Sequence, residues 1–302
     1  MTAVSRLPGY DLTDPAELAS LDDFELIARW VVEGFLHGLH MSPYVGFSVE
    51  FASHREYLPG DDLRHLNWKL YGRHDKLYIK QYDAETNLEL QIVLDVSRSM
   101  TGGERKLSKL RYASMLSASL AHLAHTQRDA VGITLFADRI LDHLKPRGGS
   151  DHLASVLHTL SGIREHPPAD SPHVLHEVAE LMPRRGMVAL ISDLFFDTEE
   201  LLGAMNHFRH FGHDVLVFQI LEPVERSLEI EGTVRFRDLE TGAEVITQSH
   251  EIRASYTAAV ESWIDQLHRG CLSRDMDHHV LLTSNPLERA MWDYFICRAQ
   301  LF

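Results

Sequence analysis

The sequence predicts an α/β protein. Its centre is a mostly parallel sheet with an antiparallel edge strand and helices on both faces. A smaller N-terminal segment and an inserted β-hairpin complete it. Three observations carry this expectation. Leu90-Gln91-Ile92-Val93-Leu94 is a short apolar run that ends in Asp95, too short for a helix core and readable as a buried strand. Met187-Val188-Ala189-Leu190-Ile191-Ser192 repeats the pattern and ends in Asp193. Between and after these two runs, short apolar stretches alternate with helical ones, as in a parallel sheet covered on both sides.

The chain of 302 residues is long enough for one large domain, or one with a smaller companion, and its 44% apolar fraction is that of an ordinary globular protein. A formal net charge of −15 argues against binding nucleic acid by phosphate neutralisation. The twenty histidines are scattered and read as ordinary surface and core residues. They make the negative charge shrink as pH falls through ~6.5. Cys271 and Cys297 are the only cysteines, which gives no disulfide framework and suits a reducing compartment. No stretch approaches the ~20 apolar residues of a membrane span, and no apolar signal core follows Met1. A soluble, cytoplasmic protein is expected.

In order, residues 1–20 read as a loose polar arm. Residues 21–88 form the N-terminal segment. It opens with a helix over Leu21–Leu39 on the spacing of Phe24, Ile27, Ala28, Val31, Val32 and Phe35, with Asp22 or Asp23 as its cap. Tyr44–Phe51 and Lys76–Tyr82 alternate like strands, around a Pro59-Gly60-Asp61 turn. Residues 89–302 hold the sheet. After the Asp95 strand come a helix over Lys106–Thr126, a strand at Asp129–Phe136, and a second strand at Ile140–Leu144. The short link between these two strands favours an antiparallel edge pair. A glycine loop then opens a helix that runs to Leu160. A helix at His173–Leu181, the Asp193 strand, a helix at Thr198–Phe211 and a strand at Asp214–Ile220 follow. The hairpin is inserted at about residues 228–250, alternating around Glu240-Thr241-Gly242. A helix over Ile252–Arg269, a strand at His279–Thr283 and a helix at Leu287–Arg298 close the chain.

Asp95 falls at the carboxyl end of its strand, where open parallel sheets bind ligands. Ser97 and Ser99 follow on the next loop, so one carboxylate and two hydroxyls form half of an oxygen shell for a hard divalent cation. An aspartate and a serine placed here also serve as ordinary helix caps. Asp193 is a second carboxylate at a strand's carboxyl end. Charged residues crowd positions 55–80, as a solvated loop or a docking surface does.

Asp95-Val96-Ser97-Arg98-Ser99 resembles the metal-ion-dependent adhesion site of von Willebrand factor A domains. Upstream, Arg55-Glu56-Tyr57-Leu58-Pro59-Gly60-Asp61-Asp62-Leu63-Arg64, followed by Trp68 and Lys80, resembles the bacterial and archaeal DUF58 family. That family joins this segment to an A-like domain in the order found here. Asn67 departs from the family's usual aspartate before the tryptophan. The A-domain resemblance implies that Asp193 and a hydroxyl at Ser150 complete a site for one Mg²⁺ or Mn²⁺, whose open position takes a carboxylate from a client protein. Ser150 or Asp151 also reads as a helix cap. The DUF58 resemblance implies a metal-dependent adaptor working with a MoxR-type AAA+ ATPase in assembly or maturation of other proteins. Arg55, Tyr57, Asp61, Asp62, Arg64 and Trp68 are its candidate partner contacts.

Two other readings use the same residues. A haloacid-dehalogenase-type phosphohydrolase would use Asp95 as nucleophile with Mg²⁺, but needs a second carboxylate where this chain has Ser97. A scaffold with a vestigial metal site is the third. An interaction protein rather than an enzyme is expected.

Overall fold

In the computed structural model the run at Leu90 is a central strand of a six-stranded sheet. The structure describes residues 6–7, 10–11, 14–41, 54–56, 78–80, 88–102, 107–164, 168–169, 171–182, 184–237 and 244–299. The strands are β1 (Glu89–Asp95), β2 (Ala130–Phe136), β3 (Ile140–Arg147), β4 (Met187–Ser192), β5 (Asp214–Leu221) and, beyond a hairpin, β8 (Met276–Leu282). Their spatial order is β8-β5-β4-β1-β2-β3. Every neighbouring pair is parallel except β2 with β3, which is antiparallel. The antiparallel edge expected from the short link is therefore present. The register sets Leu94 beside Ile191 and Asp95 beside Phe136, so β1 and β4 finish level at the same sheet edge.

Side chains alternate across a strand, and here both faces are apolar. Leu90, Ile92 and Leu94 of β1 enter one core, with Met187, Ala189 and Ile191 of β4. Val93, Val188 and Leu190 enter the other. The first core is closed by helices α1 (Phe24–Met41), α2 (Lys109–Thr126), α3 (Ser150–Ser161) and α8 (Leu287–Ala299). The second lies under α4 (Val174–Glu180), α5 (Thr198–His210) and α7 (Ser249–Leu272).

Helix α1 buries Phe24, Ile27, Ala28, Val31, Val32 and Phe35 in the first core, and Phe35 meets Trp292 edge-on at 5.2 Å. Asp23 is the cap: its Oδ1 accepts from the backbone N–H of Glu25 at 2.9 Å and of Leu26 at 3.2 Å. The N-terminal helix thus shares a core with the sheet. Ser108 caps α2 in the same way, accepting from Arg111 N–H at 3.1 Å. Between β5 and α7 lie a short helix α6 (Pro223–Ser227) and strands β6 (Thr233–Arg237) and β7 (Glu244–Gln248). These two strands pair antiparallel from Thr233–Gln248 to Arg237–Glu244. This is the hairpin expected from the alternation around Glu240. Short antiparallel pairs join residues 6–7 with 10–11 and 54–56 with 78–80. The strand expected at 44–51 and the Pro59-Gly60-Asp61 turn lie outside the described residues.

Gly132 sits at a register shift between β2 and β3. A Cβ there would lie 2.4 Å from the Gln91 side-chain amide, 2.5 Å from Leu144 O and 2.7 Å from Pro146 N. Two of these three atoms are backbone and cannot turn away. Gly132→Ala is expected to lower stability by about 1–3 kcal/mol or more, read as a shift of the urea midpoint. An unshifted midpoint would mean that β3 can separate from β2 at no cost.

On β8, His278 is buried, with its Nε2 3.1 Å from Gln219 Oε1. Burial, then the nearby His268 and His279, push its pKa from 6.5 down to about 4. The folded state therefore keeps His278 neutral while the unfolded chain protonates it. The resulting stability is complete above pH 6.5 and is lost as pH falls towards 4. The gap corresponds to about 3 kcal/mol at full extent. Urea midpoints measured from pH 7 to 4 should fall less steeply in His278→Asn than in the wild type.

Candidate functional site

The site begins where β1 runs out of partners. Asp95 is fully buried. Its Oδ1 accepts from the backbone N–H of Ser97 at 2.8 Å, a turn that bends the chain sharply off the strand. Its Oδ2 accepts from the Ser192 hydroxyl, the last residue of the neighbouring strand, at 2.6 Å. A short 3₁₀ turn over Arg98–Thr101 then folds Ser99 back, so that the Ser97 and Ser99 hydroxyl oxygens stand 3.0 Å apart.

Asp193 follows β4 directly and is also buried. The next residue, Leu194, sits at φ 60°, a left-handed conformation that costs a non-glycine residue about 1 kcal/mol or more. Leu194 N–H donates to Ser192 Oγ at 3.0 Å, and Phe195 N–H donates to Asp193 Oδ1 at 3.3 Å. Asp193 Oδ2 accepts from Lys109 Nζ at 2.8 Å, and the same ammonium donates to Glu225 Oε1 at 2.6 Å. Lys109 is 1% exposed, and its Nζ lies 4.7 Å from the centre of the Phe195 ring. Phe195 is 49% exposed and stacks on Trp263 at 5.3 Å.

The electrostatics follow from burial. Desolvation, then the nearby Asp193, raise the Asp95 pKa to about 7 against the downward pull of the Ser192 and Ser97 hydrogen bonds. Burial alone would lower the pKa of Lys109, but Asp193 and Glu225 outweigh it and hold the ammonium above its ordinary value. Among the described residues, three carboxylates, Asp95, Asp193 and Glu225, are thus faced by one ammonium. A divalent cation would cancel the remaining charge. The hydroxyl spacing fits the same ion: with Mg–O distances of about 2.1 Å, adjacent vertices of an octahedron stand about 3 Å apart. The donors present therefore suit Mg²⁺ or Mn²⁺.

Of the residues expected at the metal, Asp95, Ser97, Ser99 and Asp193 share one sheet edge. Ser150 does not. Because β3 runs antiparallel, it carries the chain back to the edge where the parallel strands begin. Arg147 pairs with Val131 there, and His152 Nε2, two residues into α3, lies 2.9 Å from Val131 O. Ser150 stands exposed at that opposite edge, after Gly149 at φ 101°. The expectation of a Ser150 ligand is corrected accordingly. Helix α3 then climbs the sheet, and α4 descends to Leu181 and Met182, which line a cavity with Glu89 and Met187 at the starting edge.

Arg55 lies on the strand at 54–56, paired with Ile79. Tyr57, Asp61, Asp62, Arg64 and Trp68, with Asn67, lie outside the described residues. Sequence reading missed Lys109, Glu225 and the Phe195–Trp263 stack. The signal for Lys109 was its place directly after the Ser108 cap, at a helix start that faces the site.

Curated relatives include uncharacterized proteins of Mycobacterium bovis and Mycobacterium tuberculosis, each 28% identical over 240 residues, covering 77% of this chain and 74% of theirs. Similar solved structures include an aerotolerance-related membrane protein from Bacteroides fragilis (TM-score 0.47, 19% identity, 68% of this chain and 97% of that one). BatB from Bacteroides thetaiotaomicron is comparable (TM-score 0.45, 19% identity, 70% and 99%). The family model described as "protein of unknown function DUF58" matches residues 53–263, and the chain belongs to that family.

Proposed function

We propose that this protein is a metal-dependent protein–protein interaction module, an adaptor that works with a MoxR-type AAA+ ATPase and a client offering an acidic residue. One observation carries the reading: two hydroxyls 3.0 Å apart beside two buried carboxylates that, among the described residues, a single ammonium does not neutralise. Mg²⁺ held by Asp95, Ser97 and Ser99, with Asp193 beside them, would offer a Lewis-acid position to a partner's carboxylate. The chain's own residues do the rest. Ser192 and the Ser97 N–H orient the Asp95 carboxylate, and Lys109 fixes Asp193. Exposed Phe195, braced by Trp263, gives the rim an aromatic anchor of the kind that dominates protein interfaces.

The phosphohydrolase reading finds less support. The position that needs a general acid holds Ser97, whose hydroxyl is engaged with Ser99. In the proposed reading the protein acts in the cytoplasm; among the described residues no helix is long and apolar enough to cross a membrane.

The test is calorimetry of this protein against a MoxR-type AAA+ ATPase of the same organism, with Mg²⁺, with EDTA, and with Asp95→Ala. Binding is expected only with Mg²⁺ and intact Asp95. Binding indifferent to both would move the interface away from this edge. Absence of binding by the folded wild type would overturn the adaptor reading.

A further inference from the structure

Two helices bring together histidines that the sequence keeps apart. His173 stands just before α4 and His176 lies within it; His207 and His210 lie in the last turn of α5. The helices pack through Val174, Leu175 and Val178 against Leu201, Met205 and Phe208 in the second core. Their outer sides meet at the imidazoles. His176 Nδ1 stands 3.0 Å from His207 Nδ1, with ring centres 5.0 Å apart. The His173 ring is 6.1 Å from His176, and the His210 ring is 6.4 Å from His207. His176 and His207 are half-buried, while His173 and His210 are exposed.

Four imidazoles on one small surface repel each other when charged. Burial, then His207 and His173, hold His176 below its ordinary pKa, so its lone pair is available near neutral pH. Two imidazole nitrogens on a tetrahedral ion with Zn–N near 2.0–2.1 Å stand about 3.3 Å apart. The observed pair is within a few tenths of an ångström of that spacing. Among the described residues no three histidine, cysteine, aspartate or glutamate side chains already converge on one point. A third protein ligand therefore requires a side-chain rotation, and His173 and His210 each stand three residues from a member of the pair, on the same helix face.

We propose that His176 and His207 form a binding site for a borderline first-row divalent metal ion of the Zn²⁺ class, completed by His173 or His210 and by water. The site is separate from the Asp95 edge, and its chemistry selects differently. Imidazole nitrogens prefer Zn²⁺, Ni²⁺ or Cu²⁺, whereas carboxylates and hydroxyls prefer Mg²⁺ or Mn²⁺. An ion there would clip α4 to α5, the two helices that flank β4 on its outer side.

The experiment is Zn²⁺ calorimetry on the full chain, with Mg²⁺ in excess to mask the oxygen site, and Co²⁺ absorption as a spectroscopic readout of imidazole ligation. One Zn²⁺ per chain is expected. His176→Gln/His207→Gln should weaken binding by roughly a hundredfold or more and abolish the Co²⁺ bands. His173→Ala or His210→Ala should weaken it several-fold, and Asp95→Ala should leave it unchanged. All four positions are at least partly exposed, so folding should survive; if the double variant unfolds, the single variants His176→Gln and His207→Gln give the same comparison. Wild type that takes up no Zn²⁺ would reduce the pair to a neutral hydrogen bond and overturn the proposal. Equal Zn²⁺ binding by the double variant would overturn it too.

Discussion

Replacing Lys109 with methionine is expected to destabilise the protein by about 3–5 kcal/mol. The side chain is almost fully buried at the first turn of α2, and its ammonium donates to Asp193 at 2.8 Å and to Glu225 at 2.6 Å. Methionine fills much of the same volume, so the loss is electrostatic rather than a cavity. It leaves Asp193, 1% exposed, as a buried carboxylate beside Asp95 with no ammonium to face among the described residues. Glu225 retains more solvent, with a side chain 25% exposed, and contributes less. Its Oε2 also accepts from Glu222 N–H at 2.8 Å, so α6 loses its link to α2 but keeps its own cap. Urea denaturation at low ionic strength gives the magnitude. A loss below about 1 kcal/mol would mean that water reaches Asp193 as soon as the lysine is gone. Lys109→Arg is not a conservative rescue here, because a planar guanidinium spreads its donors and does not reproduce the single nitrogen that donates to both Asp193 and Glu225.

Much of the sheet could be read from sequence because its strands obey local rules. Leu90–Leu94 and Met187–Ile191 are apolar on both faces, and that pattern belongs to buried parallel strands. Once both strands were recognised, parallel pairing alone put Asp95 and Asp193 at one edge. Ser150 depends on strand direction rather than on local pattern. The short link implies an antiparallel β3, and an antiparallel strand delivers the following residues to the opposite edge, which is incompatible with a Ser150 ligand beside Asp95. Lys109 failed for a different reason. A lysine in a polar stretch reads as solvated, and only the long-range approach of Asp193 and Glu225 makes its burial affordable. The histidines failed likewise: no single helix carries a ligand set, and the pair exists only because α4 packs on α5.

Mg²⁺ should separate the two roles of Asp95, and the two effects have opposite signs. In metal-free protein, Asp95 is a fully buried carboxylate with Asp193 close by, and both burial and that neighbour disfavour its charge. Asp95→Asn removes the charge and keeps the shape. It forfeits the strong 2.6 Å hydrogen bond from Ser192, which offsets part of the gain. Without metal at pH 8, the variant is therefore expected to be at least as stable as the wild type, by up to ~2 kcal/mol. With Mg²⁺ the order reverses. An ion that binds only the folded state at a hundred times its dissociation constant adds about 2.7 kcal/mol, and that gain should appear in the wild type and vanish in Asp95→Asn. Ser97→Ala should reduce the Mg²⁺ effect while leaving Asp95 charged, because it deletes one of the two hydroxyls and keeps the backbone N–H that Asp95 accepts from. Thermal melts of the three proteins with and without Mg²⁺ decide the matter. If Mg²⁺ stabilises all three equally, the ion binds elsewhere on the surface. If Asp95→Asn is strongly destabilised without metal, then the Asp95 charge is part of the folded structure in its own right, held by Ser192 and Ser97 rather than kept for a cation. A gain from substitution without metal, and a loss with it, would mark a carboxylate whose buried charge is a cost to the fold and whose use is to hold the ion.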